Sequence, residues 1–243
     1  MRRSLVGIAV LLLVAGCGGP APADEERTAP SPTVSATPPP PPSPTTPPPT
    51  TATPESPRRP TLGVDVSHHK GVVDWPRVRA DGISFAYLKA SEGTGFIDPR
   101  FAESLPRALR AGLRAGGYHY FTLCAPGAPQ AAHFLSVIGD RTTMPPAVDV
   151  ELIGNCDPGP PREELLVELR SFIDTVEART GKRMVVYLHP DLEERYAIAD
   201  DLDRRQWVRS LGARPSRDWW IWQRSDSARI DGIASPADLN QMR

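Results

Sequence analysis

Two acids, Asp149 and Glu151, sit two residues apart in the stretch PPAVDVELIGNCD, residues 145 to 157. Side chains alternate along a strand, so positions i and i+2 share a face, with Cβ atoms about 6.5–7 Å apart. Like charges that close oppose each other's ionisation, and one carboxyl then holds its proton to higher pH. A proton donor beside an anion is the pairing that glycosidic bond cleavage uses. Val148 and Val150 alternate with the acids, and Pro145 and Pro146 frame the segment, which reads as a strand rather than a solvated loop. Asp65 holds the corresponding place at the end of the first strand-like segment, in GVDVSHH, and Asp238 does so near the C-terminus, in ADLN. Four acids on one rim fit glycoside hydrolysis.

Competing chemistries find less support. His68, His69 and His119 with Asp65 suggest a metal-dependent hydrolase. Adjacent histidines on a strand point to opposite faces, however, and no HxxxH or HExxH spacing occurs, so no metal or other cofactor is expected. Ser67 and Ser91 lie in no GxSxG context. Tyr118 and Tyr187 lie near strand ends, where an aromatic face can stack on a sugar; Tyr87 and Glu92 complete the expected substrate-binding set.

These residues need elements to position them. Strand-like segments at 61–67, 84–93, 113–121, 147–151, 183–189 and 219–223 alternate with helix-like ones at 72–82, 99–112 and 128–139. In the second of these helices, Pro106 is expected to perturb the first turn. The clearest helix follows the 147–151 strand, with Leu165, Leu166, Leu169, Phe172, Ile173 and Val176 on one stripe, Pro161 before it and Gly181 after it. The alternation predicts a mostly parallel α/β fold, either a barrel or a doubly wound sheet, with sites at the carboxyl ends of strands. Asp65, Glu92, His119, Glu151 and His189 all stand at such ends. No GxGxxG turn follows the first strand, which argues against a dinucleotide site.

The chain ends define the remaining organisation. Residues 1–16 combine Arg2 and Arg3 with an apolar run from Val6 to Val14 and read as a secretory signal. VAGC, ending at Cys17, resembles a bacterial lipobox, with an ordinary signal peptide as the alternative. Either reading takes the protein out of the cytoplasm, and the lipobox anchors it to a membrane on the extracytoplasmic side. Residues 17–60 form a Pro/Thr/Ser-rich linker; 16 of the 29 prolines fall between Gly18 and Pro60. Such a segment buries too little apolar surface to fold and extends over a distance on the order of 100 Å. Residues 61–243 suffice for one domain. Its 25 acidic and 23 basic residues include no basic block, so nucleic acid is not an expected partner. Cys124 and Cys156 remain, and in an exported protein an isolated pair most often forms a disulfide.

Taken together, GVDVSHHKGVVDW, FAYLKASEGTGFIDPRF, AGLRAGGYHYF, QAAHFL, MPPAVDVE, TGKRMVVYL, WWIWQ and ADLN, in that order, resemble the family 25 glycoside hydrolases, lysozymes that cut peptidoglycan. The resemblance spans 62–243. It implies a flattened, TIM-barrel-like β/α domain acting as an N-acetylmuramidase on peptidoglycan glycan strands. It also implies Glu151 as proton donor, Asp149 as its partner acid, Asp65 and Asp238 as further groove acids, and Tyr118 and Tyr187 beside the cleaved sugar. A monomer is the expected state. Lys70, His189, Arg224 and Ala237 depart from the family pattern, and Arg224 and His189 are expected to add cations near the groove. Net retention through the substrate's acetamido group and inversion through an activated water both remain open. So does a different class, a lipid-anchored protein that binds peptidoglycan without cutting it.

Overall fold

In the computed structural model, which describes residues 60–243, eight strands close into a barrel. Seven of them run parallel: β1 (Thr61–Val66), β2 (Ile83–Glu92), β4 (Arg114–Tyr120), β5 (Ala147–Val150), β6 (Val185–Leu188), β7 (Arg205–Arg209) and β8 (Ile221–Ala228). The eighth, β9 (Ala237–Met242), returns antiparallel between β8 and β1. Pairing of β1 with β2 closes the ring and rules out the open doubly wound sheet. The two-residue β3 (Phe96–Ile97) adds to β2 outside the ring. The export signal, Cys17 and the Pro-rich segment up to residue 59 lie outside the described residues.

Five helices follow successive strands: α1 (Trp75–Ala80), α2 (Phe101–Arg110), α3 (Gly127–Ile138), α4 (Arg162–Thr180) and α5 (Pro190–Tyr196). Among the described residues, none lies between β7, β8 and β9. The stripe on α4 is buried throughout, and Gly181 ends the helix at φ 65°, its N–H donating to the Glu177 carbonyl. At the centre of the helical shell, the Phe172 ring lies 4.9 Å from His119, 5.6 Å from Phe121 and 5.9 Å from Phe134. Backbones of α3 and α4 touch at Gly127, where an added Cβ would fall 1.8 Å from the Glu168 carbonyl oxygen. One expectation needs correction. Pro106 lies inside α2 rather than in its first turn, and the helix runs through it, because the Ala102 carbonyl left without its N–H donor is on an exposed residue.

Strand pleating divides the core into two layers. Val64, Val66, Val148, Val150, Val186 and Leu188 face the helices, whereas Phe85, Tyr87, Ala147, Val185, Tyr187 and Trp207 fill the barrel. Strands buried on both faces carry no polar alternation until they reach the rim.

A disulfide joins Cys124 and Cys156, with Cα atoms 6.1 Å apart and a sequence separation of 32 residues. It bridges the loops that leave β4 and β5. Loop-closure entropy alone predicts that the Cys124→Ser/Cys156→Ser double variant loses about 3–4 kcal/mol of stability. Urea denaturation measures this; a loss below about 1 kcal/mol would mean that other contacts already restrain the loop ends in the unfolded chain.

Candidate active site

At the carboxyl ends of the parallel strands the barrel opens into a cavity of about 240 Å³. Asp65, Asp149, Glu151 and Asp238 all line it, together with Tyr118 and Tyr187. Register accounts for the convergence. Asp65 on β1 pairs directly with Asp238 on the antiparallel β9, and cross-strand partners share a face. Asp149 pairs with Tyr187 on one side and Tyr120 on the other. Val148 and Val150 point outward, so Asp149 and Glu151 point inward.

Two donor chains run beneath the acids. The Tyr187 hydroxyl donates to Gln223 Oε1 at 3.1 Å, and Gln223 Nε2 donates to Asp238 Oδ1 at 3.2 Å. In parallel, Trp207 Nε1 donates to Asn240 Oδ1 at 2.8 Å, and Asn240 Nδ2 donates to Asp65 Oδ2 at 2.7 Å. Both chains end on carboxylates and fix their rotamers. Asn240→Ala would strand a buried indole N–H and a buried carboxylate oxygen, an expected cost of about 2–4 kcal/mol in chemical denaturation. A cost under about 1 kcal/mol would mean that solvent or neighbouring groups satisfy both atoms.

Glu151 is held through its backbone. Asn155 Nδ2 donates to the Glu151 carbonyl at 2.9 Å and to the Phe121 carbonyl at 3.1 Å, while Asn155 Oδ1 accepts from Leu123 N–H at 2.6 Å. The Tyr120 hydroxyl donates to the Ile153 carbonyl in the same loop. With the adjacent disulfide, these bonds tie the loop carrying the acid to the end of β4.

Electrostatics favour protons in this cavity. Burial, then the Glu151 charge, pushes the Asp149 carboxyl well above the usual range. Burial also raises Glu151, opposed chiefly by His189. Asp65 is raised by burial and by Asp238, against the Asn240 N–H and Lys70. Asp238 is raised by burial, opposed by Lys70 at 3.9 Å. Burial and Asp149 push Tyr118 upward, so its hydroxyl remains a donor. Asp149 Oδ1 is buried and accepts from no N–H or hydroxyl; the Asp149 carboxyl is hydrogen-bonded to that of Glu151.

Several other sequence candidates lie elsewhere. Tyr87 is fully buried below the site; its hydroxyl donates to the Pro145 carbonyl at 3.0 Å and its ring lies 5.0 Å from that of Trp207, so it is a core residue that offers substrate no surface. Glu92 is not in the cavity wall; it pairs at 2.6 Å with Lys89, whose ammonium lies 4.7 Å from the Tyr120 ring centre. His119 points outward from the barrel, bonded to Ser91 and Gln130, and burial pushes its imidazole down to about 3. His68 is tied to Asp98 at 2.9 Å. Arg224 does not add a cation to the groove: it points away from the barrel interior, 5.1 Å from the Trp222 ring and bonded to Gln241. Neighbouring Gln223 faces in, so Arg224 faces out.

The cavity also contains side chains that sequence reasoning missed. Arg209, bonded to Asp226 at 2.7 Å, supplies the cation that had been expected of Arg224. It lies on β7, where Arg205, Trp207 and Arg209 face inward, opposite to the usual hydrophobic-in pattern. The available signal was alternation in RQWVR, read with its charged positions inside.

Known proteins share this architecture. The model of the family described as glycosyl hydrolases family 25 matches residues 64–233. An uncharacterised Escherichia coli protein, YegX, is 32% identical over 188 residues, covering 73% of this chain and 68% of its own. Lysozyme M1 of Streptomyces globisporus is 31% identical over 195 residues, covering 74% and 66%. A solved family 25 glycosyl hydrolase from Bacillus anthracis superimposes with a TM-score of 0.70 at 30% identity, covering 75% of this chain and 88% of the other.

Proposed function

The chain belongs to glycosyl hydrolase family 25 and is a glycoside hydrolase, and from that premise we propose that it is an N-acetylmuramidase. It cleaves the β-1,4 bond from N-acetylmuramic acid to N-acetylglucosamine in peptidoglycan. Glu151 protonates the glycosidic oxygen as the bond breaks, and Asp149 stabilises the positive charge developing on the sugar or orients its acetamido group for internal attack.

The observation that carries this reading is the buried Asp149–Glu151 pair, two carboxyls hydrogen-bonded to each other in a cavity of four acids. Two carboxyls that share a hydrogen bond hold a proton between them, and the N–H of an N-acetyl sugar is a donor that can take its place on Asp149. Donation from the acetamido group favours the ionised form of Asp149, which leaves the proton on Glu151, where the leaving oxygen needs it. Tyr118 and Tyr187 flank the same space.

Digestion of purified peptidoglycan, followed by borohydride reduction and mass spectrometry, tests the assignment. Reduced N-acetylmuramic acid at the new ends supports it. Ends at N-acetylglucosamine would change the bond assigned, and binding without cleavage would overturn the muramidase. Location in the envelope, anchored through lipid on Cys17, is supported by the residues of the first segment alone; fatty-acid labelling of the full chain, lost in Cys17→Ser, checks it.

A further inference from the structure

His189 is one of the residues that departs from the family pattern, and the register places it beside the proposed acid. On β5 and β6, Asp149 pairs with Tyr187 and Val150 with Leu188, and the His189 N–H donates to the Val150 carbonyl at 3.0 Å. The ladder ends at Val150–Leu188, and Glu151 and His189 are the residues that leave the two strands side by side. Neighbouring strands lie about 4.8 Å apart, and both residues are of the inward-facing parity and line the cavity. The ring is fixed from behind: Nδ1 is hydrogen-bonded to the Asp191 carboxylate at the start of α5. Nε2 has no hydrogen-bond partner among the described residues.

We propose that His189, oriented by Asp191, is a positioning residue for Glu151, holding the carboxyl through Nε2 in both halves of the reaction. The inference rests on the muramidase reading. With the Nδ1 proton directed at Asp191, Nε2 offers a lone pair in the neutral ring and an N–H in the charged one. A carboxylic acid donates to the first and a carboxylate accepts from the second. Nε2 can therefore bond the Glu151 carboxyl both before and after it gives up its proton.

Other titratable groups around the pair are Asp65 on β1, Asp149 on β5, Arg209 on β7, Asp226 on β8 and, on β4 and β6, the neutral hydroxyls of Tyr120 and Tyr187. Their balance fixes the signs of the test. His189 and Arg209 favour the ionised form of Glu151, whereas Asp191 disfavours it.

Kinetics of the full-length protein on soluble glycan strands from peptidoglycan, measured across pH, test the proposal. His189→Ala is expected to lower kcat by about tenfold, less than loss of the acid itself, with KM changed by no more than about twofold. Its alkaline limb should move to higher pH, because Glu151 keeps its proton longer. Asp191→Asn should move the limb to lower pH. Limbs that stay in place, or that move in the same direction, would overturn the proposal and leave the dyad as a structural bond at the start of α5. Glu151→Gln in the same assay separates the two readings: if that variant is active, Glu151 is not the acid and the mechanism this proposal rests on fails; if it is inactive while both dyad variants match wild type, only the role of His189 fails.

Discussion

Glu151→Gln is expected to lower kcat on peptidoglycan by about 10²–10⁴-fold, the usual contribution of a general acid, while the domain stays folded. Gln has almost the shape of the acid but no proton to give. The backbone bonds that place residue 151, from Asn155 and through the Tyr120–Ile153 contact, do not involve the Glu151 side chain and survive the change. KM should move little, since the lost interaction is made in the transition state. Release of reducing ends from purified peptidoglycan gives the rate, and a thermal melt confirms folding. A folded Glu151→Gln protein with more than about a tenth of wild-type kcat would remove Glu151 from the mechanism.

Asp149→Asn should produce a comparable loss of activity with the opposite effect on stability. Asp149 is buried beside Glu151 and its proton affinity is raised well above the ordinary carboxylate range. Between that range and the raised native value, the folded chain binds more protons than the unfolded one, so its stability is full at low pH and falls as pH rises through the window. Asn has no charge to bury and escapes this penalty. Each pH unit by which the native group is raised is worth about 1.4 kcal/mol at pH values above the window. For a domain of this size, Tm should rise by about 2–4 °C per kcal/mol. Melts of wild type and variant at pH 5 and pH 8 measure it. The variant should be the higher of the two, and the gap should grow from pH 5 to pH 8. A variant less stable at pH 8 would show that Asp149 is ionised and well satisfied in the resting fold, contrary to its burial beside the Glu151 carboxyl.

Much of this site was legible because strand parity is simple. Val148 and Val150 betray the outward face, so Asp149 and Glu151 had to share the inward one, and the α4 stripe named its own buried face. Parity gives side but not depth, however. Tyr87 has the inward parity of a site residue yet lies at the level of the Pro145 carbonyl, below the cavity. His119 needed only comparison with its neighbours: Tyr118 lines the cavity, so the residue after it turns away. β7 was invisible because its inward face carries Arg205 and Arg209, and the α5 helix (Pro190–Tyr196) is too short to show a period. Closure of the barrel depends on pairing β1 with both β2 and β9, contacts that reach from Thr61 to Met242 and that no local pattern encodes.

The antiparallel course of β9 has a consequence for handling the enzyme. Thr61 pairs with Met242, so the first and last strands of the barrel begin and finish side by side. Asp65 and Asp238 mark the other ends of the same two strands, about 13 Å away at the mouth. Both exits therefore leave from the pole opposite the catalytic opening. A bead, a fusion partner or a surface attached at either exit would leave the opening turned outward, and a short linker joining the two exits would allow new termini to be cut elsewhere without crossing the groove.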